Sequence, residues 1–317
     1  MHAVETKKLT KRYGKTYALK NLDFRIKKNE IMVLLGPNGS GKTTLLLILA
    51  TVLKPTSGQA EVMGLDVSTQ STQVRKALGI AFQDARGFWR HKPADLLKFH
   101  ANVCGVSKSE QAPLIENIFK DLELWGARNK LFMHLSGGQA KRLEVSKLFV
   151  QRPRFAIFDE PTSQVDLRGK RKIWAQILKL REEGSTILVA TNEVREAEYL
   201  ADRVTVLDEG EHVVCDTVRQ LKDSITGGDI VELEIDTPDT AALKDSLRGI
   251  EGTVKITNSD SNNFKAYVSM AESWVPRMTD ICYRNKAHIH SIRVTEPSLD
   301  DVFLHFTGKT LREGANA

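Results

Sequence analysis

The stretch that constrains this chain most is Gly36-Pro37-Asn38-Gly39-Ser40-Gly41-Lys42-Thr43. It fits the pattern G-x-x-x-x-G-K-[ST]. The apolar run Ile31-Met32-Val33-Leu34-Leu35 precedes it, and a helix-like apolar stretch over 43–53 follows. Glycines there let the backbone turn tightly, so that successive N–H groups face inward around an anion. A helix opening directly from the turn adds the positive end of its dipole. The pattern points to a phosphate-cradling loop set between a buried strand and a helix. Lys42 is expected to reach the β- and γ-phosphates of a nucleotide, and the Thr43 hydroxyl to ligate Mg2+.

The rest of the first two-thirds fits an α/β architecture around that loop. Ala156-Ile157-Phe158 and Thr186-Ile187-Leu188-Val189-Ala190 read as further strands buried on both faces, and 169–183 and 193–201 as helices. Strands alternating with helices predict a doubly wound sheet. Residues 84–154 differ: they carry helical patterns without buried-strand runs and read as a helical insert. Near Thr226-Gly227-Gly228 the composition shifts to that of a linker. Beyond it, strands are expected over 230–235, 253–257, 264–269 and 289–294, with helices over 240–247 and 273–286. This βαββαβ order predicts a small α+β, ferredoxin-like domain. A short helix over 299–306 and a frayed tail over 309–317 complete the reading.

Composition narrows the class. The chain has 317 residues, 41% hydrophobic and 27% charged, enough apolar material for a sizeable core. The net charge of +6 is mild, and no block of like charge reads as a nucleic-acid-binding arm. Three dispersed cysteines make neither a disulfide framework nor a zinc site. The start lacks a secretion signal, and the greasy stretch 45–53 falls short of the roughly 18–20 residues of a membrane span. A cytosolic chain is expected.

A second piece of chemistry sits in Phe155-Ala156-Ile157-Phe158-Asp159-Glu160, where an apolar strand ends in two carboxylates. Asp159 is expected to hold Mg2+ and Glu160 to act as general base toward the attacking water.

The discriminating motif is Leu135-Ser136-Gly137-Gly138-Gln139, followed by Lys141-Arg142. With it, residues 3–225 resemble the ABC ATPase family. The resemblance implies that Ser136, Gly137, Gly138 and Gln139 close over the γ-phosphate held by a second, facing subunit. It implies an ATP site built from Gly36, Asn38, Gly39, Ser40, Gly41, Lys42, Thr43 and Thr44. Tyr13 matches the aromatic residue that stacks on adenine, and Gln83 the glutamine that links Mg2+ and the attacking water to a membrane partner. Asp166, in Ser163-Gln164-Val165-Asp166, lies in the loop that crosses to the opposite subunit. One position departs: where the family usually has a histidine against the γ-phosphate, this chain has Asn192. Asparagine can exchange hydrogen bonds but cannot take up a proton, which leaves the hydrolysis rate in question. Arg86-Gly87-Phe88-Trp89-Arg90 reads either as a contact for a membrane subunit or, through Phe88 and Trp89, as core of the insert.

The stretch Glu296-Pro297-Ser298-Leu299-Asp300-Asp301-Val302-Phe303-Leu304 resembles the tail of daunorubicin-resistance-type exporter ATPases. The resemblance implies an ATPase domain over 1–225, an accessory domain over 228–308 and a tail over 309–317. It also implies a motor that uses ATP and Mg2+ to drive export of a drug, lipid or polysaccharide. Its partners would be a separate integral membrane permease and a second ATPase subunit in a homodimer on the cytoplasmic face of the membrane, with no direct nucleic-acid contact. Two alternatives stand beside it: a soluble ABC ATPase acting on ribosomes or nucleic acid, and a low-turnover regulatory ATP-binding module.

Overall fold

The computed structural model describes residues 2–84, 89–225, 228–258 and 262–311. The chain divides into two compact units: the first runs to Thr217 and also takes in Thr310 and Leu311, and the second spans Val218–Lys309. The boundary falls ahead of the linker expected at 226–228, of which residues 226 and 227 lie outside the described residues, as does the tail from 312.

In the first unit the chain opens with β1 (His2–Tyr13), β2 (Thr16–Lys27), β3 (Ile31–Leu35) and α1 (Lys42–Leu49). Next come β4 (Ser57–Val62), β5 (Leu65–Asp66), α2 (Ser71–Ala77) and β6 (Leu78–Ala81). The insert holds α3 (Pro93–Val103), α4 (Lys108–Asp121) and α5 (Gly137–Gln151), and no strand among the described residues. Then follow β7 (Phe155–Asp159), α6 (Leu167–Glu182), β8 (Thr186–Thr191), α7 (Val194–Leu200), β9 (Arg203–Asp208) and β10 (Glu211–Asp216).

These strands make two sheets. One is antiparallel, in the order β2-β1-β4-β5; the other has six strands in the order β10-β9-β3-β8-β7-β6. Within the second, β9, β3, β8, β7 and β6 run parallel, with β10 antiparallel at the edge. Every residue of β3, β7 and β8 is buried, which is why these strands are continuous apolar runs rather than alternating ones. Leu34, Leu45, Ile48, Phe155, Ile157 and Leu188 share the core between them. Burial of each such side chain contributes about 1.5–3 kcal/mol.

α1 ends earlier than the apolar pattern over 43–53 predicts. Thr51 adopts a left-handed φ of 61°, and the N–H of Val52 returns to Leu47 O at 2.9 Å. That backbone turn satisfies a terminal carbonyl and stops the helix before Pro55.

The second unit contains α8 (Val218–Asp223), β11 (Asp229–Asp236), α9 (Thr240–Arg248), β12 (Thr253–Asn258), β13 (Asn263–Val268), α10 (Ala271–Arg284), β14 (His288–Thr295) and α11 (Leu299–Thr307). Its sheet order is β12-β13-β11-β14, with every pair antiparallel. This is a ferredoxin-like βαββαβ arrangement. Val231, Leu233, Leu243, Phe264, Trp274 and Met278 form its core.

The arrangement that matters for chemistry is at one edge of the parallel sheet. β3, β8, β7 and β6 are neighbours, and all four end there. Leu35 lies opposite Thr191, Asp159 opposite Ala190, and Ala81 opposite Phe158. Ligands of open parallel sheets bind outside such carboxyl ends.

Candidate functional site

β3 delivers the chain into the glycine-rich turn. A Cβ on Gly36 would stand 2.3 Å from Leu207 O, so only glycine lets the turn press against β9. Gly41 takes a φ of +103° beside Ala18 O, a conformation closed to most other residues. Asn38 and Gly39 are exposed at the tip, Ser40 is buried, and Thr43 and Thr44 begin α1. Lys42 is buried and folds back over the loop, donating from Nζ to Gly36 O at 2.8 Å and Pro37 O at 2.9 Å. Burial lowers its pKa, while Glu160 and Asp159 nearby act the other way. These two carbonyls take two of the three donors of the ammonium.

The carboxylates stand at the end of β7. Thr43 Oγ1 donates to Asp159 Oδ2 at 3.1 Å, while Asp159 Oδ1 is buried without a hydrogen-bond partner. Burial raises the Asp159 pKa. Glu160 leaves the strand with a left-handed φ of 45°, and its N–H donates to Ala190 O at 2.8 Å. Gln83, just beyond β6, donates from Nε2 to Glu160 Oε2 at 3.2 Å. Asn192 is exposed one residue past β8. The structure therefore brings the glycine-rich loop, Gln83, Asp159, Glu160 and the Asn192 backbone position to one sheet edge. Tyr13, 50% exposed at the end of β1, carries Lys11 Nζ 5.2 Å from its ring centroid.

A second cluster forms around the head of α5. Ser136 caps the helix: its Oγ accepts from Gln139 N at 3.2 Å, and Gln139 Oε1 accepts from Ser136 N at 3.1 Å. A cap of this kind is worth about 1 kcal/mol. A Cβ on Gly137 would meet Gln164 Oε1 at 2.8 Å, and one on Gly138 would meet Gln164 O at 3.2 Å. The two glycines thus let this turn lie against the loop that follows Glu160. In that loop Asp166 caps α6, accepting from Gly169 N at 2.8 Å, and this bond holds its carboxyl below the usual range. Of the segment 86–90, Arg86, Gly87 and Phe88 lie outside the described residues. Trp89 is 75% exposed, which rules it out as core.

A family model described as ABC transporter matches residues 19–163, and one described as ATP-binding protein DrrA1-3-like, C-terminal domain, matches 217–307. The chain is 30% identical over 307 residues to the daunorubicin/doxorubicin resistance ATP-binding protein DrrA of Streptomyces peucetius, covering 96% of this chain and 92% of the relative. It belongs to the ABC transporter family. This ABC chain is also 26% identical to the linearmycin resistance ATP-binding protein LnrL of Bacillus subtilis, over 98% of its own length and all of the relative's. Its ATPase unit resembles the dimeric post-hydrolysis structure of the ATP-binding cassette MJ0796 bound to ADP and Pi, with a TM-score of 0.62 and 27% identity. That match covers 68% of this chain and 98% of the other. The ABC chain is accordingly an ATP-binding, ATP-hydrolysing motor subunit of a transporter.

Two groups in this ABC motor escaped sequence reasoning. Lys141, noted above only as following the Leu135–Gln139 motif, is buried and donates from Nζ to Gln83 O, Phe82 O and Asp159 O. Glu196 of α7 is 1% exposed and accepts from Thr162 Oγ1 and Trp174 Nε1, both at 2.9 Å. Each has a sequence signal. Lys141 precedes Val145 and Leu148 on the buried face of α5 at helical spacing, and Glu196 precedes Leu200 in the same way on α7.

Proposed function

We propose that Gly36–Thr44, Gln83, Asp159 and Glu160 together bind and hydrolyse ATP, and that the energy released drives export through a separate membrane permease. The observation that carries this reading is the convergence at one sheet edge of the Thr43–Asp159 and Gln83–Glu160 hydrogen bonds. The loop N–H groups and Lys42 bind the phosphates; Tyr13 offers its ring to adenine. Thr43 and Asp159 supply hard oxygen donors, including the unpartnered buried Oδ1, and this donor set fits Mg2+. When bound, the ion neutralises charge on the β- and γ-phosphates.

Glu160 orients a water in line with the γ-phosphorus and takes its proton, while Gln83 holds the carboxylate. The water oxygen bonds to phosphorus, the bond to the bridging oxygen breaks, and ADP and inorganic phosphate leave. Lys42 stabilises the charge that spreads over the transferring group. Asn192 can hydrogen-bond the γ-phosphate, without the proton exchange of a histidine.

Ser136–Gln139 and Asp166 are assigned to the site of a second copy, facing across a homodimer. In support, Ser136 and Gln139 bond each other rather than the glycine-rich loop among the described residues. The described helices include none long and apolar enough to cross a membrane; we assign the pore to a separate permease chain. We place the subunit on the cytoplasmic face, with exposed Trp89 on the surface that meets the permease. Similarity to resistance-named relatives along almost the whole chain supports export of a drug, lipid or polysaccharide over uptake.

The test is Glu160→Gln. ATP binding is expected to persist while hydrolysis falls roughly 100-fold or more. Detergent extraction of the tagged variant with MgATP should recover a polytopic membrane protein. Parental turnover would remove Glu160 from its role, and recovery of ribosomes alone would refute the transport reading.

A further inference from the structure

The head of α5 and the hydrolytic pair are joined by one buried ammonium. Lys141 is 3% exposed. Its Nζ lies 2.8 Å from Gln83 O, 3.1 Å from Phe82 O and 3.1 Å from Asp159 O. A lysine ammonium has three donors and no acceptor, so its hydrogen-bonding capacity is used completely, and on backbone alone. Burying an ammonium this way is unfavourable by itself, and its pKa is lowered by burial against the pull of Asp159, Glu144, Glu160 and Glu196. An apolar side chain would fill the same space without that desolvation.

The three acceptors are informative in their placement. Two belong to the segment that presents Gln83. The third is the carbonyl of the peptide joining Asp159 to Glu160, whose N–H donates to Ala190 O at 2.8 Å. That peptide is therefore held at both ends, by Lys141 on one side and by β8 on the other. Glu160 is fixed in its left-handed conformation, where its Oε2 accepts from Gln83 Nε2 at 3.2 Å. The backbone of α5 that carries Lys141 starts at Ser136.

We propose that Lys141 is a positioning residue for hydrolysis: it sets the spacing between Gln83 and Glu160 and ties both to the helix that begins at Ser136. Movement of that helix head against a nucleotide on a facing subunit then shifts the subunit's own hydrolytic pair. The proposal rests on the roles given above to Glu160 and Gln83.

The experiment uses the full chain with Lys141→Met, which keeps the length and removes the donors, and Lys141→Gln, which retains two. Glu160→Gln serves as the control. Equilibrium binding of ATP, kcat, KM and the melting temperature are measured for each. Lys141→Met is expected to bind ATP within about twofold of the parent while kcat falls roughly ten- to a hundredfold, the scale of a displaced catalytic group. Lys141→Gln should recover part of kcat. Unchanged kcat in Lys141→Met beside an inactive Glu160→Gln would overturn the proposal. So would parallel losses of kcat, ATP affinity and melting temperature, the mark of a purely structural residue. If Lys141→Met does not fold, Lys141→Gln decides; if neither folds, the residue determines the fold and the proposal fails. Parental turnover by Glu160→Gln would instead refute the assignment of the site itself.

Discussion

Thr43 Oγ1 donates to Asp159 Oδ2 at 3.1 Å, joining the first turn of α1 to the end of β7. The second oxygen of Asp159 is buried and unpartnered. A buried anion with an idle lone pair is a liability to the free protein and an asset to a site that receives a cation.

Asp159→Asn should therefore separate stability from ligand response. The raised pKa means that the Asp159 contribution to stability is fullest below its ordinary 3.8 and declines as pH rises through the folded value. At neutral pH the variant is expected to melt at the parental temperature or a few degrees above, since about 1 kcal/mol moves a domain of this size by roughly 2–4 °C. The parent should gain about 2.7 kcal/mol from MgATP at a hundred times Kd, and the variant far less. Thermal melts with and without MgATP, with EDTA as the metal-free reference, check both points. A free variant that melts well below the parent would contradict the unpartnered-oxygen argument.

Asn192 bears on the pH dependence of turnover. Asparagine does not titrate, so this position contributes no limb to the rate profile. Asn192→His is expected to add one near the ordinary histidine value of about 6.5, with a few-fold change in kcat. Superimposable kcat–pH curves for parent and variant would place the side chain away from the reacting phosphate.

The glycine-rich loop could be read before the structure because its glycines answer steric demands: Gly36 against Leu207 O, Gly41 against Ala18 O. β7 and β8 were legible because both faces are buried. β1 and β2 were not anticipated. Register shifts interrupt their pairing, and Lys8 and Asn21 take left-handed φ values of 48° and 46°, which breaks the two-residue alternation. Lys141 and Glu196 were missed because a charged residue is ordinarily solvated, and only tertiary packing shows which carbonyls or donors receive it. Asp166 was placed in its loop by resemblance, yet its cap on α6 is purely local and could have been derived from Asp166-Leu167-Arg168-Gly169 at the start of a helical pattern.

Glu196 sits beneath the loop that joins Glu160 to Asp166, through Thr162. Burial raises its pKa, and the hydrogen bonds from Trp174 and Thr162 offset only part of that. Its contribution to stability is full below the ordinary 4.5 and is lost as pH rises toward and through the folded value. Glu196→Gln preserves an acceptor for both donors and should flatten that pH dependence at little cost in stability. Glu196→Ala leaves Thr162 and Trp174 without their acceptor and opens a cavity, at a cost of about 2–4 kcal/mol. Denaturant titrations of the three proteins across pH 5–9 give the comparison. Equal pH slopes for parent and Glu196→Gln would show that the carboxyl keeps its proton balance on unfolding.

In the second unit a buried carboxyl shifts the opposite way. Asp301, 7% exposed, accepts from Lys265 Nζ at 2.6 Å, Ser298 Oγ at 2.6 Å and the Tyr267 hydroxyl at 3.2 Å. Burial alone would raise its pKa, but the bonds from Lys265 and Ser298 outweigh it and hold the carboxyl below its ordinary 3.8. The stability it contributes is thus present above 3.8 and is lost as pH falls through the lower, folded value. Asp301→Ala removes the α11 capping partner, takes the acceptor from the Tyr267 hydroxyl and leaves Lys265 with the more distant Glu232, at 3.8 Å. Lys265 is partly exposed, so the expected cost is about 2–3 kcal/mol, below that of breaking a fully buried pair. Leu299, Val302 and Phe303, which are fully buried, would then be released with α11. Hydrogen exchange should show loss of protection confined to α11 and the adjoining β13, with the glycine-rich loop and β7 unaffected. Uniform loss across both units would mean that this network holds more of the chain than the second unit's own helix.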